Sequence, residues 1–145
     1  MPVLPRVIIY TDGACVPNPG PGGWAALLRF GTHEKVLTGS APATTNNRME
    51  LTAAIEALTS LNRTCQVEIY TDSEYLKRGI TEWLPNWRRR GWKRKSGALA
   101  NDDLWQTLAA ALNLHSITWH WVRGHAGDLY NERVDRLATA AIDKA

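Results

Sequence analysis

Apolar positions along the chain recur with two periods. Short β-branched and aromatic runs, RVIIYT (6–11), VEIYT (67–71) and the alternating SITWHWV (116–122), have the bulk and length of strands. GWAALLRFG (23–31) and KVLTG (35–39) follow the first of them with turn residues between, which predicts a three-strand antiparallel meander. The stretch VPNPGPGG (16–23), dense in Pro and Gly, is expected to be a rigid loop between the first two strands. Helical spacing governs the rest. Leu51, Ala54, Ile55, Leu58 and Leu61 share one face of a helix predicted over 46–61, with Thr44, Thr45, Asn46 and Asn47 offering cap side chains. A short helix over 73–79, an amphipathic helix DDLWQTLAAAL (102–112) and a closing helix NERVDRLATAAI (131–142) complete the pattern.

A strand, a connection containing a helix and a second strand predict that VIIYT and VEIYT lie parallel. Their carboxyl ends then coincide, and the residues that follow, Asp12 in IYTDG and Asp72 in IYTDS, stand side by side where ligands bind in such sheets. Either Asp alone has a plainer reading as a helix or turn cap.

Size and composition narrow the class. With 145 residues, 44% hydrophobic and 21% charged, the chain reads as one domain spanning 1–145, able to bury a core without staples. No apolar run approaches the ~20 residues needed to span a bilayer. Cys15 and Cys65 match no metal-ligand spacing; a bridge between them stays open, but free thiols in the cytoplasm are the expectation. The net charge is only +3, yet six of the eight residues in RRRGWKRK (88–95) are basic, which points that segment at an anionic partner.

Two more acids extend the pair. Glu50 falls in the opening of the 46–61 helix, where the plain alternative is the carboxylate of a capping box. Asp135 lies at the boundary of the apolar stripe made by Val134, Leu137, Ala138, Ala141 and Ile142. Asp12, Glu50, Asp72 and Asp135 facing one crevice would repel one another until some were protonated, unless cations intervene. An all-oxygen donor set suits Mg²⁺, or Mn²⁺, and two ions about 4 Å apart serve in-line displacement at phosphorus without a protein nucleophile. No GxSxG elbow and no Cys–His pairing competes with that chemistry.

The motifs YTDGAC (10–15), NPGPGGWA (18–25), TTNNRMEL (44–51), YTDS (70–73), RGW (90–92), WVRGHAG (121–127) and NERVDRLA (131–138) occur in that order, and through them the chain resembles type 1 ribonuclease H of the bacterial kind over nearly its whole length. The resemblance implies an α/β, ribonuclease H-like fold: a five-stranded mixed sheet of order 3-2-1-4-5 flanked by helices. It implies cleavage of the RNA strand of RNA/DNA hybrids to 5′-phosphate and 3′-hydroxyl ends, by a monomer. It places Asp12, Glu50, Asp72 and Asp135 as metal-binding catalytic carboxylates and His125 as a catalytic histidine serving proton movement or product release. Asn18, Asn46 and Asn47 are then expected against the hybrid's minor groove, and Thr45 and Asn101 as remnants of a pocket for a DNA phosphate. Trp83, Trp87, Arg88, Arg89 and Arg90 are expected along the DNA strand, while Trp105, Trp119 and Trp121 read as packing. The chain departs from the pattern at Ala43, where relatives carry arginine, and at Glu74, where glutamine is common. Two alternatives stand beside this reading: a DNA junction resolvase or exonuclease of the same fold, and a non-catalytic nucleic-acid binding module.

Overall fold

A computed structural model describes residues 3–89, 91, 100–123 and 128–145 of the chain. The strands are β1 (Arg6–Cys15), β2 (Gly20–Phe30), β3 (His33–Thr44), β4 (Gln66–Thr71) and β5 (Ser116–Trp121). They form one sheet in the order β3-β2-β1-β4-β5. The meander β1–β2–β3 is antiparallel, while β1–β4 and β4–β5 are parallel. The expected mixed sheet is therefore present, with its strand order. Helix α1 (Asn46–Thr59) links the meander to β4, α2 (Glu74–Arg78) and α3 (Leu84–Arg89) flank a π-helical turn at Gly79–Trp83, and α4 (Asp102–Leu112) and α5 (Leu129–Ile142) lie either side of β5 in the chain.

Both faces of β1 are covered, which is why its residues read as a continuous apolar run rather than an alternation. Val7, Ile9, Val67 and Ile69 point to one face, under Leu51, Leu58, Trp105 and Leu108 of α1 and α4. Tyr10 and Leu27 point to the other, under Val134 and Ala138 of α5. Truncating a buried leucine in either layer removes contacts that the surroundings cannot recover and costs about 2–5 kcal/mol.

Four boundaries differ from the pattern-based expectation by more than two residues, and three of them turn on glycine. The first strand does not stop at Asp12 but pairs with β2 as far as Cys15↔Gly22. The expected 16–23 loop correspondingly shrinks to 16–19, because Gly22 and Gly23 belong to β2. These glycines answer close approach rather than turning: a Cβ on Gly23 would stand 2.3 Å from the Ala138 carbonyl oxygen of α5, and one on Gly22 2.5 Å from Thr44. The helix expected to end at Gly79 instead continues to Arg89 through the π-helical turn. Gly79 lies against the Trp105 ring, 1.9 Å from where a Cβ would be. Finally, β3 extends well beyond KVLTG; it is an edge strand with one exposed face, so its alternation is faint.

His115 and His120 are half-buried fasteners. His115 Nδ1 accepts from Cys65 N–H at 3.1 Å while Nε2 lies 3.3 Å from the Leu58 carbonyl oxygen. His120 Nε2 lies 3.0 Å from Glu68. Cys15 and Cys65 are both free thiols, and no described helix is long and apolar enough to cross a membrane.

Candidate active site

Parallel pairing of β1 and β4 runs in step from Arg6↔Gln66 to Tyr10↔Tyr70. Two residues beyond that last pair, at the same edge, come Asp12 and Asp72. Asp12 remains inside β1, opposite Ala25 of β2, and is buried; Asp72 follows the end of β4 and is half-buried. Glu50 comes from the second turn of α1, also buried. One carboxylate oxygen from each of the three can be chosen so that all lie within 4.8 Å of one another. Asp135, half-buried on α5, lines the same crevice, a space of 430 Å³.

The capping-box alternative for Glu50 does not hold. Thr45 is the N-cap of α1, its hydroxyl accepting from Arg48 N–H at 3.2 Å. The Glu50 side chain crosses instead to β1 and accepts the Gly13 N–H. That same N–H donates to Asp12 Oδ1 at 2.9 Å, so one backbone donor lies between two carboxylates. Only glycine allows it, since a Cβ at residue 13 would meet the Glu50 backbone nitrogen at 2.4 Å. Ser73 is a second positioning group: its hydroxyl oxygen caps α2 by accepting from Leu76 N–H at 3.1 Å, and its hydroxyl hydrogen-bonds Glu50.

Crowding these acids away from water shifts their protonation. Burial, then the charge of Glu50 and its hydrogen bond, then Asp72 and Asp135, push the Asp12 carboxyl up to about 10. Burial likewise raises Glu50 above the usual carboxylate range, against the lowering effect of hydrogen bonds from Asp12, Ser73 and Gly13. The directions agree: a proton shared by the pair stays on Asp12 and is donated to Glu50. No arginine or lysine among the described residues ion-pairs with either group. A hard divalent cation fits this donor set, because it would replace the shared proton with positive charge and needs only oxygen ligands.

Around the crevice the expected contact residues fall into three groups. Asn46 and Asn47 line it directly, and exposed Asn18 is tied to them, its Oδ1 accepting from Asn46 N–H at 3.1 Å. Thr45 and Asn101 sit beside a network not anticipated from sequence. Arg48 donates to Asn101 Oδ1 at 3.2 Å and grips Asp103 at 3.0 and 2.8 Å, while Asn101 and Trp105 both donate to the Tyr75 hydroxyl, at 2.9 and 3.0 Å. Trp83 and Trp87 are half-buried and pack with Tyr75 and Trp105, centroids 5.5–5.9 Å apart. Exposed Arg88 and Arg89 end α3; Arg88 reaches the Ala109 carbonyl oxygen at 3.4 Å, and Arg89 donates to Asn86. His125 and Arg90 lie outside the described residues. Gly13, Ser73, Arg48 and Tyr75 were not singled out from the sequence. The one available signal was the small residue after each Asp, Gly13 in TDG and Ser73 in TDS, which leaves room or a hydroxyl beside the carboxylates.

Comparisons with known proteins show the family and the fold. The family model described as RNase H matches residues 5–143. A protein of Bradyrhizobium sp. (strain ORS 278) named Ribonuclease H is 58% identical over 146 residues, covering 100% of this chain and 95% of its own length. One from Rhodopseudomonas palustris (strain TIE-1), with the same name, is 62% identical over 133 residues, 91% of this chain and 86% of its own. Among solved structures, LC9-RNase H1, described as a type 1 RNase H with the type 2 active-site motif, superposes with a TM-score of 0.90 at 39% identity, over 99% of this chain and 74% of that one. LC11-RNase H1, solved in complex with an RNA/DNA hybrid, superposes at 0.70 and 26% identity, over 95% of this chain and 97% of its own.

Proposed function

The chain belongs to the RNase H family, and from that premise we propose that it hydrolyses the RNA strand of RNA/DNA hybrids endonucleolytically. Water adds to the scissile phosphorus, the P–O3′ bond breaks, and the products carry a 5′-phosphate and a 3′-hydroxyl. The observation that carries this reading is the meeting of Asp12, Glu50 and Asp72 within 4.8 Å, three acids from three separate elements.

Asp12, Glu50, Asp72 and Asp135 are the proposed metal ligands, and Mg²⁺ the proposed ion, with Mn²⁺ as a substitute. A pair of such ions, when bound, supplies an activated water and charge stabilisation of the leaving oxygen. The chain's own part is to hold the acids ready. Gly13 N–H and the Ser73 hydroxyl orient Glu50, and burial keeps water from relaxing the cluster. His125 is proposed to assist proton movement or product release, as a neutral imidazole near pH 7 is suited to do.

Asn18, Asn46 and Asn47 present amides and backbone at the crevice lip, the chemistry that meets 2′-hydroxyls in the wide, shallow minor groove of an A-like helix. Trp83 and Trp87, with Arg88, Arg89 and Arg90, are proposed to carry the DNA strand through stacking and phosphate contacts. Thr45 and Asn101 would hold one of its phosphates. The proposed setting is a monomer in the cytoplasm.

The test uses labelled RNA/DNA hybrid, duplex RNA, single-stranded RNA and duplex DNA, each with Mg²⁺ or with chelator. Wild type is expected to cut the hybrid alone and only with metal, and Asp12→Asn to cut nothing. Cleavage of duplex DNA would replace this reading with a resolvase or exonuclease, and binding without cleavage under every metal condition with a non-catalytic module.

A further inference from the structure

We propose that Glu74 makes hybrid cleavage depend on base identity, favouring guanine in the minor groove beside the scissile phosphate. The proposal rests on the hydrolase reading above and adds to it a specificity-determining residue.

Glu74 opens α2, two residues after Asp72, and its exposed side chain lines the same crevice as Asn46 and Asn47. Nothing on its own helix claims it. Arg78, one turn on, pairs instead with Glu82 at 3.5 Å and lies over the Trp83 ring at 5.1 Å. Among the described residues the Glu74 carboxylate makes no hydrogen bond or ion pair. A carboxylate that is left unpaired at the mouth of a substrate crevice, outside the set of three that converge, is available to substrate.

Its chemistry is restrictive. A carboxylate only accepts hydrogen bonds, whereas the amides of Asn46 and Asn47 both donate and accept. Every base pair shows acceptors in the minor groove, and the one base-borne donor there is the exocyclic N2 amino group of guanine. Against A·T or A·U pairs the base edges offer Glu74 only acceptors, which repel it; against a guanine-containing pair it gains a charge-assisted hydrogen bond. Ribose 2′-hydroxyls are donors too, but they accompany every ribonucleotide and so introduce no dependence on base.

Inosine provides the test, because it pairs with cytosine yet lacks the N2 amino group. Hybrids differing only by guanine or inosine at single positions near a cleavage site, in either strand, are cut under single-turnover conditions with Mg²⁺ by wild type and by Glu74→Gln. Wild type is expected to cut at one such position about five-fold faster with guanine than with inosine, the lower end of what one base contact discriminates. Glu74→Gln is expected to bring that ratio close to one. Equal rates for guanine and inosine in wild type, or the same ratio in both proteins, would overturn the proposal. A shift of the Mg²⁺ midpoint in Glu74→Gln, equal on both substrates and with no change in their ratio, would assign Glu74 to the metal instead and also overturn it. Failure to cut any hybrid would remove the hydrolase reading itself, a result distinct from cleavage without base dependence.

Discussion

One backbone N–H, that of Gly13, stands between the carboxylates of Asp12 and Glu50, and a proton held on Asp12 completes the arrangement. Asp12 titrates near an ordinary carboxylate value when unfolded and at about 10 when folded without metal. Between those values the native chain binds more protons than the unfolded one, so this group's contribution makes stability fall as pH rises from about 4 to about 10. Asp12→Asn removes that contribution while keeping the side chain's shape. The variant is expected to be catalytically dead, yet more stable than metal-free wild type by about 2 kcal/mol at pH 8, with the advantage shrinking towards pH 5. Chemical denaturation of both proteins across that pH range measures it, and a variant less stable than wild type at pH 8 would contradict the assigned strain.

At the scale of elements, the π-helical turn at Gly79–Trp83 joins α2 to α3 and sets the direction in which Trp83, Trp87 and the arginines at the end of α3 emerge. Its packing leaves no space for a methyl group. Trp105, fully buried and held through Nε1–H to the Tyr75 hydroxyl at 3.0 Å, occupies the volume beside Gly79. Alanine in place of glycine in a helix is ordinarily worth up to about 1 kcal/mol of added stability. Here overpacking against a fixed indole decides the sign, and Gly79→Ala is expected to lose about 2 kcal/mol in urea denaturation. A variant as stable as wild type would show that the turn has room to relax. Gly23 against α5 obeys the same rule, a missing side chain that sets how near a helix comes to the sheet.

For the whole molecule, closing the sheet under α1 on one face and α5 on the other concentrates negative charge at one edge without a basic partner for Asp12 or Glu50 among the described residues. A divalent cation should therefore act as a folding ligand. Added Mg²⁺ at pH 7.5 is expected to raise the melting temperature, by about 1.4 kcal/mol of stability at ten times the dissociation constant. It should also release about one proton per chain, and bind more tightly as pH rises. Calorimetry in two buffers of different ionisation enthalpy reads the proton directly; binding without proton release would show that Asp12 is already ionised in the free chain. Much of this was legible in the residues. Periodicity and connection order are local properties, and they led to parallel β1 and β4 with Asp12 and Asp72 at a shared edge, while ordered motifs such as TTNNRMEL and NERVDRLA pointed to the family. The capping-box ambiguity at Glu50, the hydroxyl of Ser73 beside it, the grip of Arg48 on Asp103, the strand beginning within the Pro/Gly stretch and the helix that passes through Gly79 were not legible. A glycine is written the same way whether it turns the chain or makes room for Ala138 or Trp105, and an acid the same way whether it caps its own helix or reaches another strand. Sequence by itself determined which elements form and which chemistry they carry, because propensity and hydrophobic spacing act between near neighbours. Tertiary structure alone decided what each ambiguous residue does, because the atom that settles the matter comes from a distant part of the chain and is present only once the layers have packed.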